Sequence, residues 1–153
     1  MRVVEPWVAD PLQAFLDESA ARLTLLTTAS GQVIAQDGFT RSVDVMAAAA
    51  LGAAILASTE ALARLTGSGR FDAVLHQGAT QSLYLCGFDL PRGRWIGLVV
   101  FGPETSAGLV QLFFRELTEA LSRAAPKEQA PPVVFAANFE QELNASLRSL
   151  FGR

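Results

Sequence analysis

From Val45 to Ala57 the chain runs thirteen residues without a polar side chain, VMAAAALGAAILA. A bilayer span needs about 20 such residues, so this Ala-rich run predicts a helix within a protein rather than a membrane insertion. The helix is predicted over residues 42–65, capped by Ser42 and ended by Thr66-Gly67-Ser68-Gly69. At about 100° per residue it sorts into three stripes. Ala48, Leu51, Ile55, Thr59 and Leu62 are bulky enough to cover a sheet. Val45, Ala49, Gly52, Ala53 and Leu56 are mostly small and would admit a second backbone. A glycine in mid-helix costs ~1 kcal/mol against Ala, so this second stripe is predicted to meet a partner helix. Ala47, Ala50, Ala54, Ala57, Ala61 and Arg64 form the third, a shallow platform for another protein. The plainer reading of that stripe is that Ala is simply the best helix former. A helix apolar all round is normally buried all round; one domain covers one face, and the others need partners.

The segments around it set the fold class. Asp10-Pro11 predicts a first helix, with Asp10 as cap, Gln13 closing a capping box, and Leu12, Phe15, Leu16 and Ala20 in one stripe. Residues 23–28 (LTLLTT) and 32–36 (QVIAQ) read as a hairpin across Ala29-Ser30-Gly31, broken by Asp37-Gly38. After the long helix come strands over 71–76, 80–88 and 94–101, with short turn-rich connections. Residues 103–106 lead into another helix with a stripe of Leu109, Leu112, Phe113, Leu117 and Leu121. The order α-ββ-α-βββ-α argues an α+β fold, a five-stranded antiparallel sheet covered by helices. Four parts follow: a lead over 1–9, a domain over 10–124, a linker over 125–137 with Pro126, Pro131 and Pro132, and an amphipathic helix over 138–153. Asn138 is predicted to cap that last helix, and Phe139, Leu143, Leu147, Leu150 and Phe151 share one face.

Composition excludes several classes. Of 153 residues, 50% are hydrophobic and 18% charged, which excludes a disordered chain. A net charge of -3 argues against nucleic acid as a partner. The single Cys, Cys86, forms no internal disulfide, and with one His no zinc cluster is in view. The N-terminus lacks the apolar core of a secretory signal, so a cytoplasmic setting is expected. No phosphate-binding G-x-x-x-x-G-K-[ST], G-x-S-x-G, H-E-x-x-H or C-x-x-C occurs. His76 reads as a structural or surface residue, Cys86 as a small core residue, and Trp7 as an anchor that could dock on the body. No catalytic residues, metal or cofactor are predicted, and the chain is not expected to be an enzyme by itself.

The hairpin LTLLTTASGQVIAQDG, the Ala-rich helix, the strand pair FDAVLHQGATQSLYL and the strand WIGLVVF followed by a helix together resemble the roadblock/LC7 superfamily over residues 10–124. Within it the His76-Gln77-Gly78 turn and the tail helix after a proline-bearing linker are similar to the MglB subgroup, bacterial partners of a Ras-like GTPase of the MglA type. The resemblance implies a homodimer through the long helix and the following strand, here Val45, Ala49, Gly52, Ala53, Leu56, Phe71 and Val74. It implies activation of GTP hydrolysis without an arginine finger, by reshaping the GTPase switch regions; an effect on nucleotide exchange instead, and a setting in cell polarity, motility or another process, stay open. It also implies that the tail helix meets the GTPase at a separate surface. Other readings stay open: a scaffold dimer of the same fold that changes no hydrolysis rate, or a small-ligand sensor. For the tail, packing on the chain's own body is the alternative to packing on the partner.

Overall fold

The computed structural model describes residues 1–41, 43–127 and 133–151, and for 133–140 the backbone alone. It is a three-layer α/β/α arrangement around one antiparallel sheet. In chain order come β1 (Arg2–Val3), a single 3-10 turn (Pro6–Val8), α1 (Ala9–Ser19), β2 (Leu23–Thr28), β3 (Val33–Gly38), α2 (Val45–Thr66), β4 (Ala73–His76), β5 (Ser82–Leu90), β6 (Gly93–Phe101), α3 (Ala107–Ala124) and α4 (Val133–Phe151). The strands lie in the order β1-β3-β2-β6-β5-β4.

The sheet has six strands, not five, because the N-terminal lead adds a strand. Arg2 and Val3 pair with Gln36 and Ala35, and the Val4 N–H donates to the Ile34 carbonyl at 2.8 Å. The 3-10 turn then carries the chain straight into α1. Val8 is already helical there, so no extended residue stands at the N-cap position, and Asp10 lies within the first turn instead of capping. Gln13 does not close a capping box; its amide donates to Asp17 at 3.0 Å. Asp37-Gly38 does not end β3 either: Asp37 pairs with Thr24 and Gly38 with Leu23. Gly38 can do this because its φ is +99°, and a Cβ there would strike the backbone of Arg22.

α2 starts at Val45, capped by the Asp44 carboxylate accepting from the Ala47 N–H at 3.1 Å. The predicted cap, Ser42, lies outside the described residues. Gly67 closes the helix in the left-handed conformation at φ 62°. Ser106 caps α3, its hydroxyl accepting from the Leu109 N–H at 3.2 Å. The buried face of α3 is Val110, Phe114, Leu117 and Leu121, while Leu109 and Leu112 of the predicted stripe are exposed. α4 begins at Val133, so Asn138 sits inside it and the linker ends earlier than expected.

Two cores flank the sheet. On one face α1 and α3 cover Leu26, Tyr84, Phe88, Trp95 and Val99, with the Phe114 ring edge-on to Phe15, Tyr84 and Phe88. Trp7 docks on this body as predicted, stacked on Trp95 at 5.5 Å between ring centroids. On the other face α2 covers Leu23, Leu25, Leu85, Ile96, Leu98 and Val100.

Candidate functional site

The order of the sheet decides which edge stays open. At one end β1 is only two residues long, and Pro6 soon ends its pairing potential. At the other end β4 pairs with β5 alone, leaving the outer backbone groups of Ala73–His76 unpaired among the described residues. Phe71 and Leu75 are exposed beside that edge, and His76 is exposed at its end. An open strand edge next to exposed apolar side chains is a template for pairing with another chain.

α2 supplies the rest of the surface, in a different phase from the one the sequence suggested. Its buried residues are Ala49, Gly52, Leu56 and Ala63. The small-residue stripe therefore seats α2 on its own sheet. A Cβ at Gly52 would lie 3.2 Å from Leu85 Cδ2 and 3.4 Å from Leu98 Cδ1. Val45 and Ala53 also pack partly on this core, as does Val74 of β4. Of the residues assigned to a dimer contact, Ala49, Gly52 and Leu56 are thus taken up inside the protomer, Val45, Ala53 and Val74 are half-buried there, and Phe71 alone is exposed. The physical reason is that Ala and Gly permit close approach to any backbone, and the nearest one belongs to β5 and β6.

The stripe expected to cover the sheet is correspondingly on the flank. Leu51 is 64% exposed and Leu62 56%, while Ala48, Ile55 and Thr59 are half-buried. The third stripe faces outward as read: Ala47, Ala50, Ala54, Ala57 and Arg64 are exposed and Ala61 is half-buried. By length and composition α2 could cross a membrane; in this fold it lies along the sheet and presents an Ala-floored, Leu-flanked surface instead. Met46 and Leu65 extend the apolar surface at its two ends. The sequence signal that could have set the phase was the glycine itself, read against a sheet rather than a helix.

The other side of the molecule carries a polar cleft and an ion-pairing contact among the described residues. A cleft of about 400 Å³ between α3 and the β4–β5 edge is lined by Asp72, Tyr84, Cys86, Gln111 and Arg115. Burial pushes the Cys86 thiol up, only partly opposed by the Tyr84 side chain, so it is held protonated and is a poor nucleophile. Burial likewise raises the Tyr84 phenol above its ordinary value, with the Cys86 charge adding to the effect. Arg22 at the start of β2 grips Glu104 before α3, with Nε to Oε1 at 2.7 Å, and holds that carboxyl below its usual range. Among the described residues no group of three or more His, Cys, Asp or Glu could hold a metal ion.

On α4, residues 141–151 are solvent-exposed, including Leu143, Leu147, Leu150 and Phe151 of the predicted stripe. The Phe139 side chain lies outside the described residues.

Comparison with known proteins agrees with this geometry. The family model of the Roadblock/LC7 domain matches residues 9–87. Three solved MglB structures superpose closely. MglB of Myxococcus xanthus is 28% identical with a TM-score of 0.70, covering 78% of this chain and 95% of that one. The gliding protein MglB of Thermus thermophilus is 29% identical with a TM-score of 0.69, covering 80% and 94%. A third, described as MglB with tetrameric arrangement, is 30% identical with a TM-score of 0.69, covering 77% and 87%. Among curated proteins none matches the sequence significantly.

Proposed function

This chain belongs to the Roadblock/LC7 family, and from that premise we propose that it is a homodimeric regulator of a Ras-like small GTPase, acting in the cytoplasm of a bacterial cell and stimulating GTP hydrolysis. The observation that carries the reading is the exposed apolar surface of α2 beside the open edge of β4. The dimer forms by antiparallel pairing of two β4 edges across a two-fold axis, which removes both open edges and continues one sheet through both subunits. The exposed flank of α2, with Leu51 and Leu62, packs against its counterpart. The outward Ala stripe from Ala47 to Ala61 then forms a broad floor shared by two helices, bordered by Arg64.

Such a floor has no group suited to chemistry of its own, and none is required. Phosphoryl transfer depends on alignment and on stabilising charge around the transferred phosphoryl group. A flat apolar surface against the switch segments of a GTPase stabilises one of their arrangements, and the GTPase's own residues complete the site. Any rate gain is bounded by the difference in affinity for the two arrangements. The apolar stripe of α4 supplies a second contact to the GTPase in the helix-in-groove manner. The structural likeness to MglB across nearly the whole length of those proteins supports this reading. Binding of the cognate GTPase, loaded with a non-hydrolysable GTP analogue, tests it: Ala54→Arg should weaken binding at least tenfold while leaving the fold and dimer intact. Unchanged binding removes α2 from the contact.

A further inference from the structure

The cleft between α3 and the start of β4 holds a buried polar group that the rest of the described structure does not use. Tyr84 lines it and is only 6% exposed. A phenol buried to this extent ordinarily has a hydrogen-bond partner. Among the described residues this hydroxyl has no oxygen or nitrogen partner; its polar neighbour is the Cys86 thiol, two residues along the same strand, itself spent on the Gly87 carbonyl at 3.6 Å. A thiol is in any case a weak partner. The walls of the cleft carry opposite charges held apart. Asp72, just before β4, stands on one side and Arg115 of α3 on the other. Both lie near enough to the Tyr84 phenol to act on it, with opposite sign. Neither forms an ion pair among the described residues, with the other or with a third group. Gln111, one turn before Arg115, lines the same wall.

We propose that this cleft binds a small zwitterion, an α-amino acid with an apolar side chain. The ligand carboxylate meets the Arg115 guanidinium in a two-pronged contact and accepts from the Tyr84 hydroxyl. The ligand ammonium faces Asp72, and the side chain lies against the Phe88 and Phe114 rings that complete the lining. Three features select this class. Burial holds the phenol protonated, so at neutral pH it offers a proton to an acceptor oxygen. A ligand of single charge would pair with one wall and strip water from the other, leaving an unpaired charge at a cost. A zwitterion meets both walls and is itself neutral. The cleft measures about 400 Å³, within the range of about 300–1,000 Å³ usual for small-molecule sites, so an amino acid enters with its side chain. The inference stands apart from the GTPase reading, because the cleft lies on the opposite face of the sheet from α2 and ligand binding is measured on this chain alone.

Titration of the full-length protein, followed by its backbone amide NMR shifts, tests it. The probes are L-phenylalanine and L-leucine, with 3-phenylpropionate lacking the ammonium and phenethylamine lacking the carboxylate. The expected result is saturable binding of at least one of the two amino acids at millimolar concentration or below, with shifts centred on β5 and on α3 around Gln111 and Arg115. Both truncated probes should bind at least tenfold more weakly. Tyr84→Phe keeps the ring and removes only the hydroxyl, and Arg115→Gln changes an exposed position; each should weaken binding at least tenfold in a protein whose spectrum stays native. Glu119→Gln, one turn further along α3, should leave binding unchanged. No saturable shift with either amino acid overturns the proposal. So does equal binding of a truncated probe, or undiminished binding in Arg115→Gln.

Discussion

Gly97 has room for a hydrogen and nothing larger, because the Phe114 ring lies against β6 at that point and a Cβ would collide with it. Phe114 also touches Phe15, Tyr84 and Phe88, so it cannot yield easily. Gly97→Ala is expected to destabilise the fold by ~1–3 kcal/mol, the usual cost of overpacking, read as a lower denaturant midpoint with an unchanged slope. Tyr84 permits a pH prediction because it is the chain's only tyrosine. Burial raises its pKa above the ordinary 10. A raised folded-state value means the stabilising contribution is complete below the unfolded pKa and is lost as pH rises through the folded one. Alkaline titration should therefore show no tyrosinate absorbance around pH 10 while the protein is folded, and then a rise coinciding with unfolding. A separate, ordinary titration near pH 10 in the folded protein would contradict the burial of this phenol. Neither feature could be read from the sequence, since both depend on which residues meet across the sheet.

α2 shows what a sequence can and cannot say about an element. Its existence, length and glycine stop were legible, because a long apolar run between capping residues admits little else. Its phase was not. With Ala on every side, the helix has almost no apolar direction, and residues of near-equal hydrophobicity cannot rank three faces. The structure ranks them through close approach: Gly52 meets Leu85 and Leu98. That assignment has an opposite consequence from the dimer-contact reading. Gly52→Arg would force a charged side chain into the α2-side core and should lower protomer stability by ~3 kcal/mol or more, read by chemical unfolding. Ala54→Arg, on the outward face, should leave the unfolding midpoint nearly unchanged. A Gly52→Arg protein of native stability that merely dissociates would restore the stripe to a dimer contact. α1 and α3 teach the same lesson on a smaller scale. Their positions were clear, yet Asp10 does not cap α1, because the 3-10 turn before it removes the extended residue a cap requires. In α3 the stripe is displaced from Leu109 and Leu112 to Val110 and Phe114.

For the whole molecule, the hairpin and meander signals were enough for an α+β fold with an antiparallel sheet, and the turn at Leu90-Pro91-Arg92-Gly93 joins β5 to β6 as a tight hairpin. The sixth strand was missed because two residues carry no periodicity; β1 exists through its pairing with β3 alone. The candidate surface was half legible: the Ala platform faces outward as read, whereas the residues assigned to the dimer contact mostly face inward. The proposed dimer now rests on β4 and the Leu51–Leu62 flank. Leu51→Glu, at a position 64% exposed, should leave the protomer folded but raise the dimer dissociation constant at least tenfold, measured by sedimentation. The measurement closest to the central claim is single-turnover GTP hydrolysis by the cognate Ras-like GTPase, with and without this protein. The account predicts that wild-type protein accelerates hydrolysis at least tenfold, that Ala54→Arg removes most of the gain, and that the protein alone hydrolyses nothing. An unchanged rate in the presence of a saturating, binding-competent dimer would contradict it and leave a scaffold of the same fold.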